Sequence, residues 1–285
     1  MVVDFGAIIL KKRPIWEVLV DRGFFDDRKT AESWIMAGKV LIDENRIDTP
    51  GQMVSPASEI RIKGFNQKYV SKGGMKLEGA INDFNMCIEG VVAIDIGAST
   101  GGFTDCLIQH GASKVYAVDV GYGQLAGKLR IDPRVVNMEK VNISDIVPGT
   151  LFPKPTLATV DLSYLSLKKA IPVFADILNN YGQLICLVKP LFEVQDSNIR
   201  RTGDIEDINI YKEVLTDLYE YTDSIGHKIV GVTHSHVTGN KGTREFFLRI
   251  ELGSQNNDYT YDQYLLDVDK AIENVMKIDL FKKIH

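Results

Sequence analysis

Val91-Val92-Ala93-Ile94-Asp95-Ile96-Gly97-Ala98-Ser99-Thr100-Gly101-Gly102-Phe103 is an apolar run that ends in an acid and then a glycine-rich turn. Val91 to Ile96 is β-branched apart from Ala93 and Asp95 and shows no clean alternation, the pattern of a strand covered on both faces in a parallel sheet. Gly97, Gly101 and Gly102 permit a tight turn and close approach to a ligand, and Ser99 or Thr100 is placed to cap the helix that follows. A strand, a turn and a helix in this order open a nucleotide-binding βαβ unit, although a short glycine pattern alone also occurs in turns that bind nothing.

The next segments favour a ligand. Lys114 to Val120 is a second buried strand ending in Asp119-Val120, and an acid there hydrogen-bonds the ribose hydroxyls of a nucleoside in dinucleotide-like units. An oxidoreductase would show Gly-x-Gly-x-x-Gly at the first turn. Here Asp95-x-Gly-x-x-x-Gly puts an acid ahead of the first glycine, which disfavours a pyrophosphate and suits a cationic ligand such as the amino end or sulfonium of S-adenosylmethionine. Asn142-Ile143 follows the short strand at Val135-Val136 and precedes Asp145; it serves equally well as an adenine contact or a plain turn.

Leu157 to Val160 ends in Asp161, and Gly182 to Val188 delivers Lys189. Ligands of open α/β sheets sit outside the carboxyl ends of the strands, so Asp95, Asp119, Asp161 and Lys189 arrive at one rim. Lys228 to Val232 and Arg244 to Ile250 read as two further strands, with helices at Ala170 to Leu178 and Ile208 to Tyr221. Glu245, at the start of the last strand, reaches that rim only if the strand runs antiparallel. The fold expected is α/β and Rossmann-like, with a mostly parallel seven-stranded sheet.

Ahead of this lies a smaller unit. Ile15, Val18, Leu19 and then Ala31, Trp34, Ile35 fall at helical spacing on two short segments separated by Gly23, with Asp26-Asp27 as the cap. Gly38 ends the second helix, and Lys39 to Ile42, the turn Asp43-Glu44 and Ile47 form a hairpin, with Glu59 to Lys63 as a last strand. Arg28-Lys29-x-Ala31-x-x-Trp34-Ile35-x-x-Gly38-Lys39-Val40 followed by a hairpin resembles an S4 domain, a small α+β RNA-binding module. That resemblance makes Arg13, Arg22, Arg28, Lys29 and Lys39 candidates for phosphate contacts, which position RNA without reading its sequence; a solvated helix face would carry the same charges.

The whole chain of 285 residues has a net charge of −5, 45% hydrophobic and 25% charged residues, ordinary values for a globular protein. Residues 1–78 hold 13 Lys/Arg and 11 Asp/Glu, net +2, which leaves −7 for the remainder. Cys87, Cys106 and Cys186 have neither metal-ligand nor disulfide spacing and are expected to be buried thiols of a reducing cytoplasm. No apolar run approaches the ~18 residues of a membrane span, and neither export nor stable membrane insertion is expected.

Between the two units, Tyr69-Val70-Ser71-Lys72-Gly73-Gly74-Met75-Lys76-Leu77 places two glycines between two lysines. Spacing alone leaves Lys76 open to solvent or to a cleft. This segment, together with Asp95-Ile96-Gly97-Ala98-Ser99-Thr100-Gly101-Gly102-Phe103-Thr104-Asp105, Val118-Asp119-Val120-Gly121-Tyr122-Gly123-Gln124-Leu125 and Asp161-Leu162-Ser163-Tyr164-Leu165-Ser166-Leu167, closely resembles the TlyA family. That family joins an S4 domain to an FtsJ-like methyltransferase domain, is often named for hemolysins, and methylates cytidine 2′-hydroxyls of ribosomal RNA.

The resemblance implies S-adenosyl-L-methionine as cofactor, held by Asp95, Gly97, Ser99, Thr100, Gly101, Gly102, Phe103, Asp119, Val120, Asn142 and Ile143. Its Lys-Asp-Lys-Glu tetrad falls on Lys76, Asp161, Lys189 and Glu245, and Lys72 joins the candidate RNA-binding cations; on chemical grounds Lys189 is expected to take the hydroxyl proton, with Asp161 and Glu245 orienting the lysines. It implies ribosomal RNA or ribosomal subunits as partner; the oligomeric state stays open. The sequence departs from the family pattern at Lys72, Leu191 and Gly239-Asn240-Lys241-Gly242-Thr243-Arg244-Glu245, and the last departure touches the setting of Glu245.

The expected division is 1–64 for the S4-like unit, 65–68 for a linker, 69–253 for the methyltransferase domain and 254–285 for a helical extension. In that extension Tyr261, Leu265, Val268, Ile272, Val275 and Met276 mark an amphipathic helix packed on the body or on a partner. The competing readings are a cofactor-binding but non-catalytic RNA or ribosome factor and a membrane-acting hemolysin. The two acids and two lysines of the tetrad would also suit a structural salt-bridge cluster.

Overall fold

The structure is a computed structural model that describes residues 12–278 apart from 26, 57, 65–67, 164, 195, 204, 240–241 and 255–257. Asp26, Tyr164, Asn240, Lys241, most of the expected linker and the end of the tail therefore lie outside the described residues.

In the front unit, α1 (Ile15–Asp21) and α2 (Arg28–Met36) form the expected helix hairpin, and Asp27 caps α2 by accepting from the Thr30 amide. The strands β2 (Val40–Ile42) and β3 (Asn45–Ile47) turn through Asp43 and Glu44, both at positive φ, and β5 (Ile60–Ile62) pairs with the other edge of β2. A two-residue ladder of β1 (Arg13–Pro14) with β4 (Met53–Val54) went unseen in the sequence because it is too short to show a period. Ile15, Leu19, Ala31, Ile35, Val40 and Ile62 close a core of their own.

The larger unit begins with α3 (Lys72–Asp83) and builds a seven-stranded sheet. Its strands are β6 (Val92–Ile96), β7 (Lys114–Asp119), β8 (Val135–Glu139), β9 (Leu157–Val160), β10 (Gly182–Val188), β11 (Lys228–His234) and β12 (Phe246–Leu252). The order is β11-β12-β10-β9-β6-β7-β8, with β12 antiparallel to both neighbours and the other pairs parallel. The chain runs outward from β6 through β7 to β8 and then crosses to β9 on the other side of β6, which opens a crevice between the carboxyl ends of β6 and β9.

Both faces of the sheet are covered, which explains why β6 carries no polar alternation. Ala93 packs toward α3 and α4 (Gly102–Gln109) with Leu77, Leu107 and Phe247. Ile94 and Ile96 pack toward α6 (Leu167–Ile177), α9 (Asn209–Ser224) and α10 (Tyr261–Lys277) with Phe174, Leu218 and Tyr264. Three short helices, α5 (Gly127–Arg130), α7 (Pro190–Glu193) and α8 (Ser197–Thr202), lie in the connections.

The tail helix α10 packs on the body: Tyr264, Val268 and Val275 are buried and the Tyr264 hydroxyl donates to Leu215 O. Two of the residues expected on its apolar face, Tyr261 and Met276, stay exposed because the buried stripe runs through Tyr264 and Ala271 instead. Cys106 and Cys186 are buried, whereas Cys87, in the turn after α3, is exposed and departs from expectation. Among the described residues no helix is long and apolar enough to cross a membrane.

Candidate active site

The glycine turn lies at the mouth of the crevice. Gly97 has φ +84°, and a Cβ there would sit 2.4 Å from Asp161 O, so only glycine lets the end of β6 pass this close to β9. The helix α4 is capped by Gly101 in the left-handed region, with no side-chain cap. The cap expected of Ser99 or Thr100 is absent because the turn carries Ser99 away at φ +49°, where its amide donates to Asp119 Oδ2. The Gly101 cap supplies no side chain to the first turn of α4, and Asp95 below takes the Thr104 amide; amides at a helix N-terminus are suited to a carboxylate.

Asp119 is half-buried and accepts from Ser99 N and Gly121 N, one on each oxygen. The carboxylate expected to meet a ribose thus also ties its own loop together, next to Val120, which is 71% exposed. Glu139 at the end of β8 does similar work: it accepts from the amides of Gln124 and Leu125 and pairs with Arg130. Its role was not apparent in the sequence, since an acid three residues past the short strand expected at Val135-Val136 carries no signal of its own. Asn142 accepts from Ser144 N and caps a short helical turn at Ile143–Asp145.

Asp95 differs from expectation. It is fully buried, and its carboxylate accepts from Thr104 Oγ1 at 2.6 Å and Thr159 Oγ1 at 3.0 Å. Burial lifts its pKa to about 6 against the pull of those hydroxyls. Closed in by α4 and β9, this side chain holds the turn from below.

Lys76, Asp161, Lys189 and Glu245 come together at the same rim. The Lys76 ammonium donates to Glu245 Oε2 at 2.6 Å, with both side chains buried. Lys189 Nζ lies 2.5 Å from Asp161 Oδ1, an electrostatic contact without hydrogen-bond angles, and donates to Ser163 Oγ at 3.3 Å. Register explains the meeting: Val188 pairs with Phe246 across β10 and the antiparallel β12, so Lys189 and Glu245 leave the sheet at one edge. Ser163 was quoted in the sequence motif but not singled out, and its contact with Lys189 is visible only in three dimensions.

Lys76 reaches this edge because α3 and α4 cross closely. A Cβ at Gly102 would come 3.0 Å from Gly74 N and 3.1 Å from Gly73 Cα, and one at Gly74 would strike the Tyr69 ring. Gly74 is thus a packing residue, whereas a Cβ at Gly73 would meet Phe103 and Ser71 at an ordinary 3.4 Å. Asp105 secures the approach by accepting from Val70 N and pairing with Lys128.

The electrostatics follow from burial. Burial alone would lower the Lys76 ammonium, but Glu245 and Asp161 outweigh it and the pKa is raised; the Glu245 carboxyl is pushed up by burial and by Asp161 despite Lys76. Lys72 is half-buried, its stem against Gly23 of the front unit, and burial together with Lys76 lowers its pKa.

The front-unit cations separate into two groups. Arg13 is paired with Glu17 and Asp21, and Arg22 is largely buried, donates to Ser58 O and is held down at about 10 by burial. Arg28 lies over the Trp16 ring and pairs with Glu32, Lys39 lies over the Trp34 ring, and Lys29 is exposed.

Comparison with known proteins agrees with this architecture. The FtsJ-like methyltransferase family matches residues 69–251. Protein YqxC of Bacillus subtilis strain 168, named as a candidate rRNA methyltransferase, is 38% identical over 266 residues, covering 92% of this chain and 94% of its own. The 16S/23S rRNA (cytidine-2′-O)-methyltransferase TlyA of Mycobacterium tuberculosis is 36% identical over 81% of this chain and 86% of its own. A solved structure from Streptococcus thermophilus, described as a candidate hemolysin, superposes with TM-score 0.77 at 35% identity over 94% of this chain and 98% of its own. The chain therefore belongs to the FtsJ-like methyltransferase family, in which S-adenosylmethionine is the methyl donor.

Proposed function

We propose that the chain methylates a ribose 2′-hydroxyl, that of cytidine, in ribosomal RNA. The observation that carries the reading is the convergence of Lys76, Asp161, Lys189 and Glu245 beside the glycine turn, at the carboxyl rim where ligands of this fold bind. The named activity of the mycobacterial relative supports the substrate class.

S-adenosylmethionine, when bound, supplies an electrophilic methyl group on sulfur. Gly97 and the turn Ser99–Gly102 at the start of α4 would hold its amino-acid end, and Asp119 with Val120 its nucleoside end. Methyl transfer then breaks a carbon–sulfur bond, forms a carbon–oxygen bond and releases the hydroxyl proton. Most of the rate should come from holding hydroxyl and methyl in line.

Lys189 is the base in this scheme: it is the less buried of the two lysines and faces the rim beside Ser163. In its neutral form it takes the 2′-hydroxyl proton, while Asp161 orients it. Lys76, clamped by Glu245, stays an ammonium that steadies the developing charge on oxygen. The front unit, taken as residues 1–64 with a linker at 65–68, docks the RNA through Lys29, Lys39 and Arg28, joined by Lys72 at the junction.

The test is single-turnover methyl transfer to ribosomal subunits and to naked rRNA. Wild-type protein should methylate a cytidine, and Lys189→Ala should bind S-adenosylmethionine normally yet transfer about a hundredfold or more slowly. Near-normal transfer by Lys189→Ala would remove it from the chemistry, and no transfer by wild type to either RNA would favour a non-catalytic binding factor.

A further inference from the structure

Asp83, His234 and His236 form a cluster that the methyl-transfer scheme does not use. One ligating atom of each lies within 4.8 Å of the other two. His236 Nε2 donates to Asp83 Oδ2 at 2.9 Å, and the same oxygen accepts from Thr233 Oγ1. The two imidazoles stack, with centroids 4.7 Å apart at 24°.

The backbone builds this arrangement. Asp83 ends α3 and His234 ends β11, elements packed side by side. His236 lies against Gly79 one turn back on α3, where a Cβ would come 2.8 Å from the ring. The cluster stands at the outer end of the rim that carries the candidate active site, since His234 pairs with Phe246, the residue after Glu245. The segment between them closes on itself: Ser235 N donates to Glu245 O and Ser235 Oγ to Val237 O.

Two imidazoles and one carboxylate are a donor set for a divalent transition ion, zinc above all. A tetrahedral zinc ion with bonds of ~2.1 Å needs ligand atoms roughly 3.4 Å apart. The ligating atoms, all within 4.8 Å of one another on side chains that are not buried, lie near that spacing, and the Asp83–His236 hydrogen bond occupies the place of the ion. Thr233, bonded to Asp83, would fix the carboxylate from behind.

We propose that Asp83, His234 and His236 bind a divalent transition metal ion, with zinc as the best fit, and that the ion staples the end of α3 to the segment leading to Glu245. The site is independent of the methyl-transfer scheme, because it rests on these three side chains alone.

The test is titration of the full-length protein with Zn²⁺ alone, in competition with a chromophoric chelator, with thermal unfolding followed in parallel. One equivalent should bind and raise the unfolding temperature. His234→Gln, His236→Gln and Asp83→Asn, which preserve size, should each weaken that equivalent about tenfold or more and remove the thermal shift. Co²⁺ should give a spectrum of nitrogen and oxygen ligation. Undiminished binding in the three variants, a thiolate charge-transfer band pointing to Cys87, or no bound equivalent in the wild type would each overturn the proposal.

Discussion

Lys76 and Glu245, 169 positions apart in sequence, meet as a buried ion pair at 2.6 Å, one carried on α3 and the other in the loop entering β12. Removing one partner of such a pair leaves the other charge buried and unpaired. Glu245→Gln should lower stability by about 3 kcal/mol and abolish methyl transfer. The double replacement Lys76→Met with Glu245→Leu should recover most of the stability and none of the activity. Denaturant unfolding beside a transfer assay separates the two effects, and recovered activity in the double variant would reduce the pair to a structural element.

The pH dependence of stability should carry the mark of Asp95. Its folded pKa of about 6 lies above the ordinary carboxyl value of 3.8, so in the window between them the native state holds a proton that the unfolded chain has released. Stability therefore falls as pH rises through that window, contrary to the usual behaviour of a paired acid. Relative to Asp95→Asn, the wild type should lose about 2 kcal/mol between pH 4.5 and pH 7. Urea midpoints at the two pH values measure this, and a difference that does not move with pH would mean that Asp95 is ionised in the fold.

Gly97→Ala tests the crevice. The added methyl would meet Asp161 O at 2.4 Å with the backbone at φ +84°, so either the end of β6 or the end of β9 must move. Calorimetry should show S-adenosylmethionine binding weakened by about tenfold or more, with a stability loss of about 2 kcal/mol. Gly149→Ala, also at positive φ but with open space around it, provides the control for backbone strain alone and should leave cofactor affinity unchanged.

The tail helix should be inseparable from folding. Tyr264→Ala removes a buried ring and its hydroxyl bond to Leu215 O, and should cost about 3–5 kcal/mol. Deleting the chain from Tyr261 onward should give aggregated protein rather than an active enzyme, because α9 and β11 lose their cover. A soluble, fully active truncation, assayed by size-exclusion chromatography and methyl transfer, would contradict this.

Local pattern carried the sequence reading a long way. The apolar, mostly β-branched run at Val92 to Ile96, the acids at the ends of β6, β7 and β9, and Lys189 after β10 were legible because strand length, apolar content and the carboxyl-edge rule are local properties. So were the capping Asp27, the Asp43-Glu44 hairpin and the amphipathic character of α10. The antiparallel direction of β12 could be stated only as the condition for Glu245 to matter, since direction is set by pairing and not by composition.

What the sequence determined by itself was the α/β class, the order of the strands along the chain and the membership of the Lys76, Asp161, Lys189, Glu245 set through its motif resemblance. What only the tertiary structure decided was which polar groups remain for a ligand. Asp95 is consumed by Thr104 and Thr159, Asp119 is shared with the amides of its own loop, and Arg13 and Arg22 are tied into the front unit. The physical reason is that a buried polar group must find a partner, and its partners here come from segments distant in the chain whose approach depends on the packing of the whole fold.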